Sequence, residues 1–424
     1  MATLNANYDK LAAGYLFPEV AKRRNAFQER TGRKVMRLDI GDAAIPLGPT
    51  VARALSIAGD RLQYLDGFTD KEIGSDEVKQ ILHQAGYDKF NGYGNEQGCN
   101  LLRKAIADQY QSRGINIDSS EVFVGDGAKC DVANMQQIFG IDNVVAVQDP
   151  AYPVYVDTNV ASGRTGEFDK IKGIYEGIVY MSCTEENGFV PNIPEGRADL
   201  VYLCSPNNPT SAILPKSRAK QFVDWAVDRN AIIFSDAAYS EFIEDPTLMR
   251  SIYEIEGAER CAIEFQSFSK SAGFTGVRLG WTVVPKAFRD GKPNAMWNRR
   301  STTFFNGACN LAQPGGLVAL LTEKGQAECR TMKETYMGNA KIIRAGLESI
   351  GFKVNGGDNG PYLWFNTGMD SWKFLDKLLE ETGVSCTPGV GFGPSGAGYA
   401  RLSAFALRED VEKAVDSIVK NLRM

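Results

Sequence analysis

Short apolar runs bounded by turn residues recur through the middle of the chain, with stretches of helical periodicity between them. EVFVGDG (121–127) predicts a strand ending in a glycine turn, and AKCDVANMQQIFG (128–140) a helix after it. NVVAVQDP (143–150) is the next strand, broken by Pro150. LVYLCSPNNP (200–209) predicts a strand, KSRAKQFVDWAVDRN (216–230) a helix, and AIIFSDAAY (231–239) another strand. CAIEFQSFSK (261–270) and GWTVVP (280–285) complete the set. Strands apolar on both faces, with helices between them, predict an α/β fold whose mostly parallel sheet is covered on each side. Ligands in such folds bind outside the carboxyl ends of the strands.

The last third changes character. MKETYMGNAKIIRAGLESIG (332–351), SWKFLDKLLEETG (371–383) and REDVEKAVDSIVKNL (408–422) predict helices. In the last of these, Val411, Ala414, Val415, Ile418, Val419 and Leu422 follow one helical face. With the strands YLWFNT (362–367) and YARLSAF (399–405), these helices predict a smaller α/β domain. A length of 424 residues favours two domains. The expected division is a large domain over 48–295, with 1–47 and 296–424 forming an N-terminal arm and the small domain.

Composition narrows the function. Hydrophobic residues make up 43% of the chain, enough for a sizeable core, and the net charge of −5 offers no basic field for nucleic acid. Apolar runs stop well short of membrane-spanning length. The opening MATLNANYDKLAAGYLFPEV carries neither a signal-peptide pattern nor an Arg-rich transit pattern, so a cytoplasmic location is expected, or a plastid one if a transit peptide has been removed. Eight cysteines stand far apart with no CxxC pairing, which predicts buried free thiols and neither a zinc site nor a disulfide framework. The single histidine, His83, has no motif around it and reads as an ordinary surface residue. No metal site is expected, and acid–base work falls to Lys, Asp, Glu, Tyr or a cofactor.

The strongest chemical cluster is SFSKSAGFTGVRLGW (267–281). Lys270, just past a strand and among small residues, is badly placed for a solvated charge; in a cleft such a lysine can lose its proton and attack a carbonyl. Ser267 and Ser269 offer hydroxyls, and Arg278 a fork suited to a phosphate dianion. A loop lysine flanked by small residues for turn geometry is the competing reading. GDGAK (125–129) puts small residues where a strand opens into a helix, whose first N–H groups can hold an anion. SPNNPT (205–210) ends another strand, as a plain turn or a polar site. FSDAAYSEF (234–242) sets Asp236 at the end of a buried strand, where a carboxylate is costly unless paired; a pyridinium N–H⁺ would pair it.

Taken in order, the phosphate turn, aromatic, Asn-Pro, Asp-x-x-Tyr, Ser-x-x-Lys and a following Arg resemble the fold-type I, pyridoxal-5′-phosphate (PLP) dependent aminotransferases over nearly the whole chain. The resemblance implies an enzyme with Lys270, Asp236 and Tyr152 in catalysis. Gly127, Ala128, Ser267 and Arg278 would bind the phosphate, with Lys129, Ser269 and Tyr93 also at the cofactor. Tyr152 would stack on the ring, Asn208 and Tyr239 would bond its phenolic oxygen, and Asp236 would keep its nitrogen protonated. Arg401 would clamp the substrate α-carboxylate. GFGPSG (391–396) satisfies a dinucleotide G-x-G-x-x-G pattern, but no helix follows and Pro394 interrupts it. The resemblance makes it part of a mobile loop closing over the site.

AGYLFPEVAKRR, NGYGNEQG, GDGAKCD, SFSKSAGFTGVRLGWTVVP and FFNGACN further resemble the family of LL-diaminopimelate aminotransferases. That resemblance implies amino transfer between glutamate/2-oxoglutarate and tetrahydrodipicolinate/LL-2,6-diaminopimelate, in lysine and cell-wall precursor biosynthesis. Glu96 and Lys129 would read the distal amine and carboxylate, with Tyr15, Gly41 and Asn208 also at the substrate. Tyr93, Glu96 and Asn306 would come from a neighbouring subunit, so a homodimer with shared sites is expected. Two segments depart from the family: GDAAIP (41–46) replaces a GDTT-type sequence, and Ser211 stands where Gly usually follows Asn-Pro-Thr. They leave open a related enzyme acting on the α-amino group of lysine or another amino acid. A non-catalytic protein of the same fold is the remote alternative.

Overall fold

The computed structural model describes residues 2–11, 16–89, 91–305 and 307–423. Seven strands form the main sheet: β1 (Val122–Gly125), β2 (Val145–Asp149), β3 (Ile178–Ser182), β4 (Leu200–Cys204), β5 (Ile232–Asp236), β6 (Ala262–Ser267) and β7 (Gly280–Val283). Their spatial order is β1-β7-β6-β5-β4-β2-β3. Only β7 runs against its neighbours, pairing antiparallel with β1 and β6. All of β4, β5 and β6 is buried, as expected for strands covered on both faces. Alternate residues feed different cores: Leu200, Tyr202 and Cys204 pack in one, Val201 and Leu203 in another.

This topology concentrates functional groups along one edge. The parallel strands all deliver their carboxyl ends there, and β7 begins there. Gly280 pairs with Gly125 on one side and Ser267 on the other, which sets Arg278 between the 125–129 turn and the lysine segment. Cys204 and Asp236 are register partners on β4 and β5, so the Asn-Pro turn and the Asp236 carboxylate are neighbours.

A second sheet contains β8 (Val354–Gly356), β9 (Tyr362–Asn366), β10 (Thr387–Pro388) and β11 (Tyr399–Ser403), all antiparallel in the order β8-β9-β11-β10. Helices Ser371–Thr382 and Arg408–Asn421 and the latter part of Glu323–Ser349 bury their apolar faces against it. Helix Ser371–Thr382 starts where the Asp370 carboxylate accepts from the N–H groups of Trp372 and Lys373, and stops at Gly383, whose φ is 70°. The N-terminal helix Leu16–Thr31 adds Leu16, Val20 and Phe27 to the same core, and Met36–Arg37 pairs in parallel with Val384–Ser385. In the last helix Val411, Ala414, Ile418 and Leu422 are buried as expected, but Val419 stays 38% exposed, one step too far round the cylinder. Ala308, Ala312 and Leu317–Ala319 pack into a core of the main sheet, C-terminal to residue 295.

Among the described residues, no helix is long and apolar enough to cross a membrane. The eight cysteines are unpaired; Cys183, Cys204, Cys261 and Cys386 are buried, whereas Cys309 is exposed, contrary to the expectation of buried thiols throughout. His83 is half exposed and tethered, with Nδ1 2.6 Å from the buried carboxylate of Asp88.

Candidate active site

A cleft of about 670 Å³ opens at the strand ends, between the main sheet and the second sheet. Lys270 lies in it on the short helix Phe268–Ser271, just past β6, rather than in the turn that the competing reading supposed. Its Nζ donates to the carbonyl of Gly41 and sits 4.7 Å from the Phe405 ring centroid. Burial is the main cause that pushes the amine down to about 7; Asp42 opposes it, and Arg401 and Arg278 act with it. About half of these amines are then neutral, and so nucleophilic, at pH 7.

Asp236 is 8% exposed. Its Oδ2 accepts from the Tyr155 hydroxyl at 2.6 Å and its Oδ1 from the Ala238 N–H at 3.1 Å. Burial raises its affinity for a proton against both bonds. A cationic ring N–H brought into the cleft would reverse that, because the carboxylate would then have the charge partner it lacks.

At the other end, helix Ala128–Met135 begins at Gly127, whose φ is 103°. A Cβ on Gly127 would overlap the Arg278 guanidinium, so this backbone approaches the arginine in a way only glycine permits. Arg278 itself has φ 68°, and its Nη1 donates to Ser269 Oγ and the Thr275 carbonyl, each at 3.2 Å. Ser267 Oγ accepts from the Ser269 N–H at 3.0 Å. N–H groups at a helix start, two serine hydroxyls and a guanidinium stand together here, a donor set that could hold a phosphate dianion.

Arg401 is 1% exposed on β11. Nη1 donates to Asn208 Oδ1 at 2.6 Å, and Nη2 to the Asp39 carbonyl at 2.9 Å and Thr387 Oγ1 at 3.2 Å. Its Nε is buried with no partner among the described residues, a donor unspent where a carboxylate would enter. The Tyr362 ring lies 4.3 Å from the guanidinium.

The cleft therefore brings together Gly41, Ala128, Lys129, Tyr152, Asn208, Asp236, Tyr239, Ser267, Ser269, Lys270, Arg278 and Arg401 from the sequence expectation, with Gly127 beside them. Tyr152 is half-buried, its ring edge-on to Tyr155 at 6.0 Å, and Lys129 Nζ lies 5.9 Å from the Tyr152 centroid. Tyr93, which is 79% exposed, and Glu96 do not line this cleft within one chain. Tyr15 and Asn306 lie outside the described residues. Tyr155 and Tyr362 were not singled out from the sequence. Tyr155 follows Tyr152 by one helical turn, a spacing that could have flagged it. Tyr362, at the head of an apolar strand, carries no such signal.

The GFGPSG segment forms two short turns instead of a strand–turn–helix, which removes the dinucleotide reading. It packs on the end of β2: Ser395 donates its hydroxyl to Asp149 Oδ2 at 2.7 Å and its N–H to Oδ1 at 3.1 Å.

Residues 66–418 match the model of the aminotransferase class I and II family, and the chain belongs to that family. It is a PLP-dependent enzyme, and the lysine, buried aspartate and phosphate cradle fit that cofactor. Among its relatives is the LL-diaminopimelate aminotransferase of Desulfotalea psychrophila, 47% identical over 432 residues that cover 100% of both chains. The solved L,L-diaminopimelate aminotransferase from Chlamydomonas reinhardtii superimposes with a TM-score of 0.88 at 42% identity, covering 98% of each chain. The aspartate aminotransferase from Thermus thermophilus with maleate shares the fold alone, with TM-score 0.79 at 22% identity over 99% of this chain and 100% of that one.

Proposed function

We propose that this chain transfers an amino group between glutamate/2-oxoglutarate and tetrahydrodipicolinate/LL-2,6-diaminopimelate, serving lysine and cell-wall precursor biosynthesis. The observation that carries the chemistry is a low-pKa Lys270 in one cleft with the buried guanidinium of Arg401. Full-length similarity to LL-diaminopimelate aminotransferases supports the substrate.

When bound, PLP supplies an electron sink that acidifies the substrate α-proton. The rest falls to side chains. Ser267, Ser269, Arg278 and the N–H groups after Gly127 would hold the phosphate, and Tyr152 would cover the ring. Asp236, steadied by Tyr155, would keep the ring nitrogen protonated, and Asn208 and Tyr239 would bond the phenolic oxygen. Arg401 would bind the α-carboxylate and so fix which α-hydrogen faces Lys270. Lys270 Nζ would then carry the proton away from the α-carbon and return it in the second half-reaction. Lys129, at the cleft mouth, would take the distal carboxylate.

Glu96 and Tyr93 would reach a partner's cleft across a homodimer interface. Support comes from the exposed apolar side chains Tyr93, Phe304, Phe305 and Leu311, clustered where Asn310 donates to the Tyr93 carbonyl at 3.1 Å. A dimer in sedimentation is expected.

The deciding assay offers LL-diaminopimelate, meso-diaminopimelate, lysine, aspartate and an aromatic amino acid with 2-oxoglutarate, and measures glutamate formed. Preference for the LL isomer, lost in Lys129→Ala more steeply than any activity on a monocarboxylic amino acid, supports the proposal. Activity on lysine alone, or equal losses on both substrate types, overturns the diaminopimelate reading while keeping the aminotransferase.

A further inference from the structure

The Tyr239 hydroxyl has a neighbour that the chemistry above does not use. Tyr362, at the head of β9, places its own hydroxyl 2.8 Å from it, and both groups are buried. The two rings meet edge to face at 5.2 Å, so the contact is fixed by packing as well as by the hydrogen bond. Tyr362 also lays its ring 4.3 Å from the Arg401 guanidinium. One side chain thus spans the residue proposed to bond the cofactor oxygen and the residue proposed to bind the substrate carboxylate.

The backbone of Tyr362 is held with comparable care. Ser211, in the turn that also carries Asn208, donates its hydroxyl to the Tyr362 carbonyl at 3.0 Å and accepts from the Tyr362 N–H at 3.1 Å. Ser211 adopts φ 55°, a conformation that costs a non-glycine residue on the order of 1 kcal/mol. Room for its side chain comes from Gly356 and Gly360, where an added Cβ would stand 2.8 Å from Ser211 Cβ and 2.7 Å from its Oγ. The departure from the family pattern at this position therefore has a compensating contact: the strained serine forms a two-point clasp on the strand that presents Tyr362.

We propose that Tyr362 is a positioning residue that aims the Tyr239 hydroxyl at the cofactor and the Arg401 guanidinium at the substrate carboxylate, and that Ser211 locks it in place. This rests on the cofactor reading above. A phenol has one proton to donate and lone pairs to accept. When Tyr239 donates to the cofactor's phenolic oxygen, Tyr362 donates to Tyr239, and the second bond polarises the first. Stronger donation favours the oxygen's anionic form, so it eases loss of the proton that the oxygen shares with the lysine nitrogen. The charged or titratable neighbours of the two phenols are Arg401, Cys204 and Asp236, with Lys270 across Gly41. None of these is altered by removing the Tyr362 hydroxyl.

The test is a pH titration of the visible absorption band of the PLP-loaded protein, with KM for the dicarboxylic substrates measured alongside. Tyr362→Phe keeps the ring over Arg401 and removes only the hydroxyl; the midpoint of the band should rise by roughly half a pH unit, with KM unchanged. Tyr362→Leu removes the ring as well and should raise KM about fivefold. Ser211→Gly relieves the positive φ but opens the clasp, so the midpoint should move toward that of Tyr362→Phe without loss of thermal stability. A Tyr362→Phe midpoint equal to that of the parent, in a folded and loaded protein, overturns the inference and leaves the cofactor reading standing. A parent with no pH-dependent visible band overturns both.

Discussion

Tyr155 donates to Asp236 Oδ2 across 2.6 Å from a helix one turn beyond Tyr152. With the Ala238 N–H, the bond orients a carboxyl group whose affinity for a proton burial raises. A cationic ring N–H held against it would pair with that group as an anion, and a hydrogen bond to a charged group contributes about 1.5–3 kcal/mol. Tyr155→Phe should therefore weaken PLP retention by at least about tenfold, read by dialysis of the loaded protein. Retention equal to the parent would mean that Asp236 needs no orienting partner.

Lys270 sets the pH dependence of cofactor capture. Its amine is pushed down to about 7, so the fraction able to attack the PLP aldehyde rises through that pH and levels above it. The rate at which apoprotein develops the PLP absorption band should be half-maximal near pH 7. A rate still climbing steeply toward pH 10 would show a lysine of ordinary basicity. Lys270→Ala should give no borohydride-fixed cofactor at any pH.

Stability should fall as pH rises through the weakly acidic range. Burial lifts Asp131 to about 7 and Asp149 and Asp157 to about 6. The folded chain therefore holds protons that the unfolded chain has released. Their stabilisation is complete below about pH 4 and is lost as pH passes through 6 and 7. Lys270 acts in the opposite sense from about 7 upward, because the folded state binds its proton less tightly than the unfolded state. Asp131→Asn should flatten the decline in Tm between pH 5 and 8, measured on apoprotein by calorimetry. An unchanged slope would exclude Asp131 as a source.

Gly41 is a steric device. An added Cβ would overlap the Tyr362 hydroxyl and stand 3.5 Å from Lys270 Nζ. Gly41→Ala should lower kcat by about tenfold or more, since displaced catalytic groups lose rate steeply with distance, while the fold persists. Full activity would show that Tyr362 can move aside without consequence, against the positioning role inferred above.

The parallel sheet was legible because its central strands are apolar on both faces and end in turn residues. β4, β5 and β6 all lie where their apolar runs place them. β3 was missed: it sits at the sheet's edge with half-buried Val179 and Tyr180, and such a strand has no clear period. Lys270, Asp236 and Arg278 were legible because each is a charged residue at a strand end, where a solvated role is implausible. Tyr155 offered only its spacing from Tyr152, and Tyr362 nothing, because an aromatic residue in an apolar strand is indistinguishable from core until its hydroxyl's partner is known. The clasp by Ser211 was invisible for a related reason: the sequence marks a strained position there, but the relief comes from a strand about 150 residues away.

Chain order gives the second sheet a further meaning. Lys270, Asp236 and the phosphate turn all precede β11, which carries Arg401. A chain emerging from the ribosome thus carries the lysine before Phe405 and Arg401, which lie against its amine or help lower its basicity, have been made. Its nucleophilicity is therefore a property of the completed fold, and the amine turns reactive only as the guanidinium that would select carboxylates takes its place beside it.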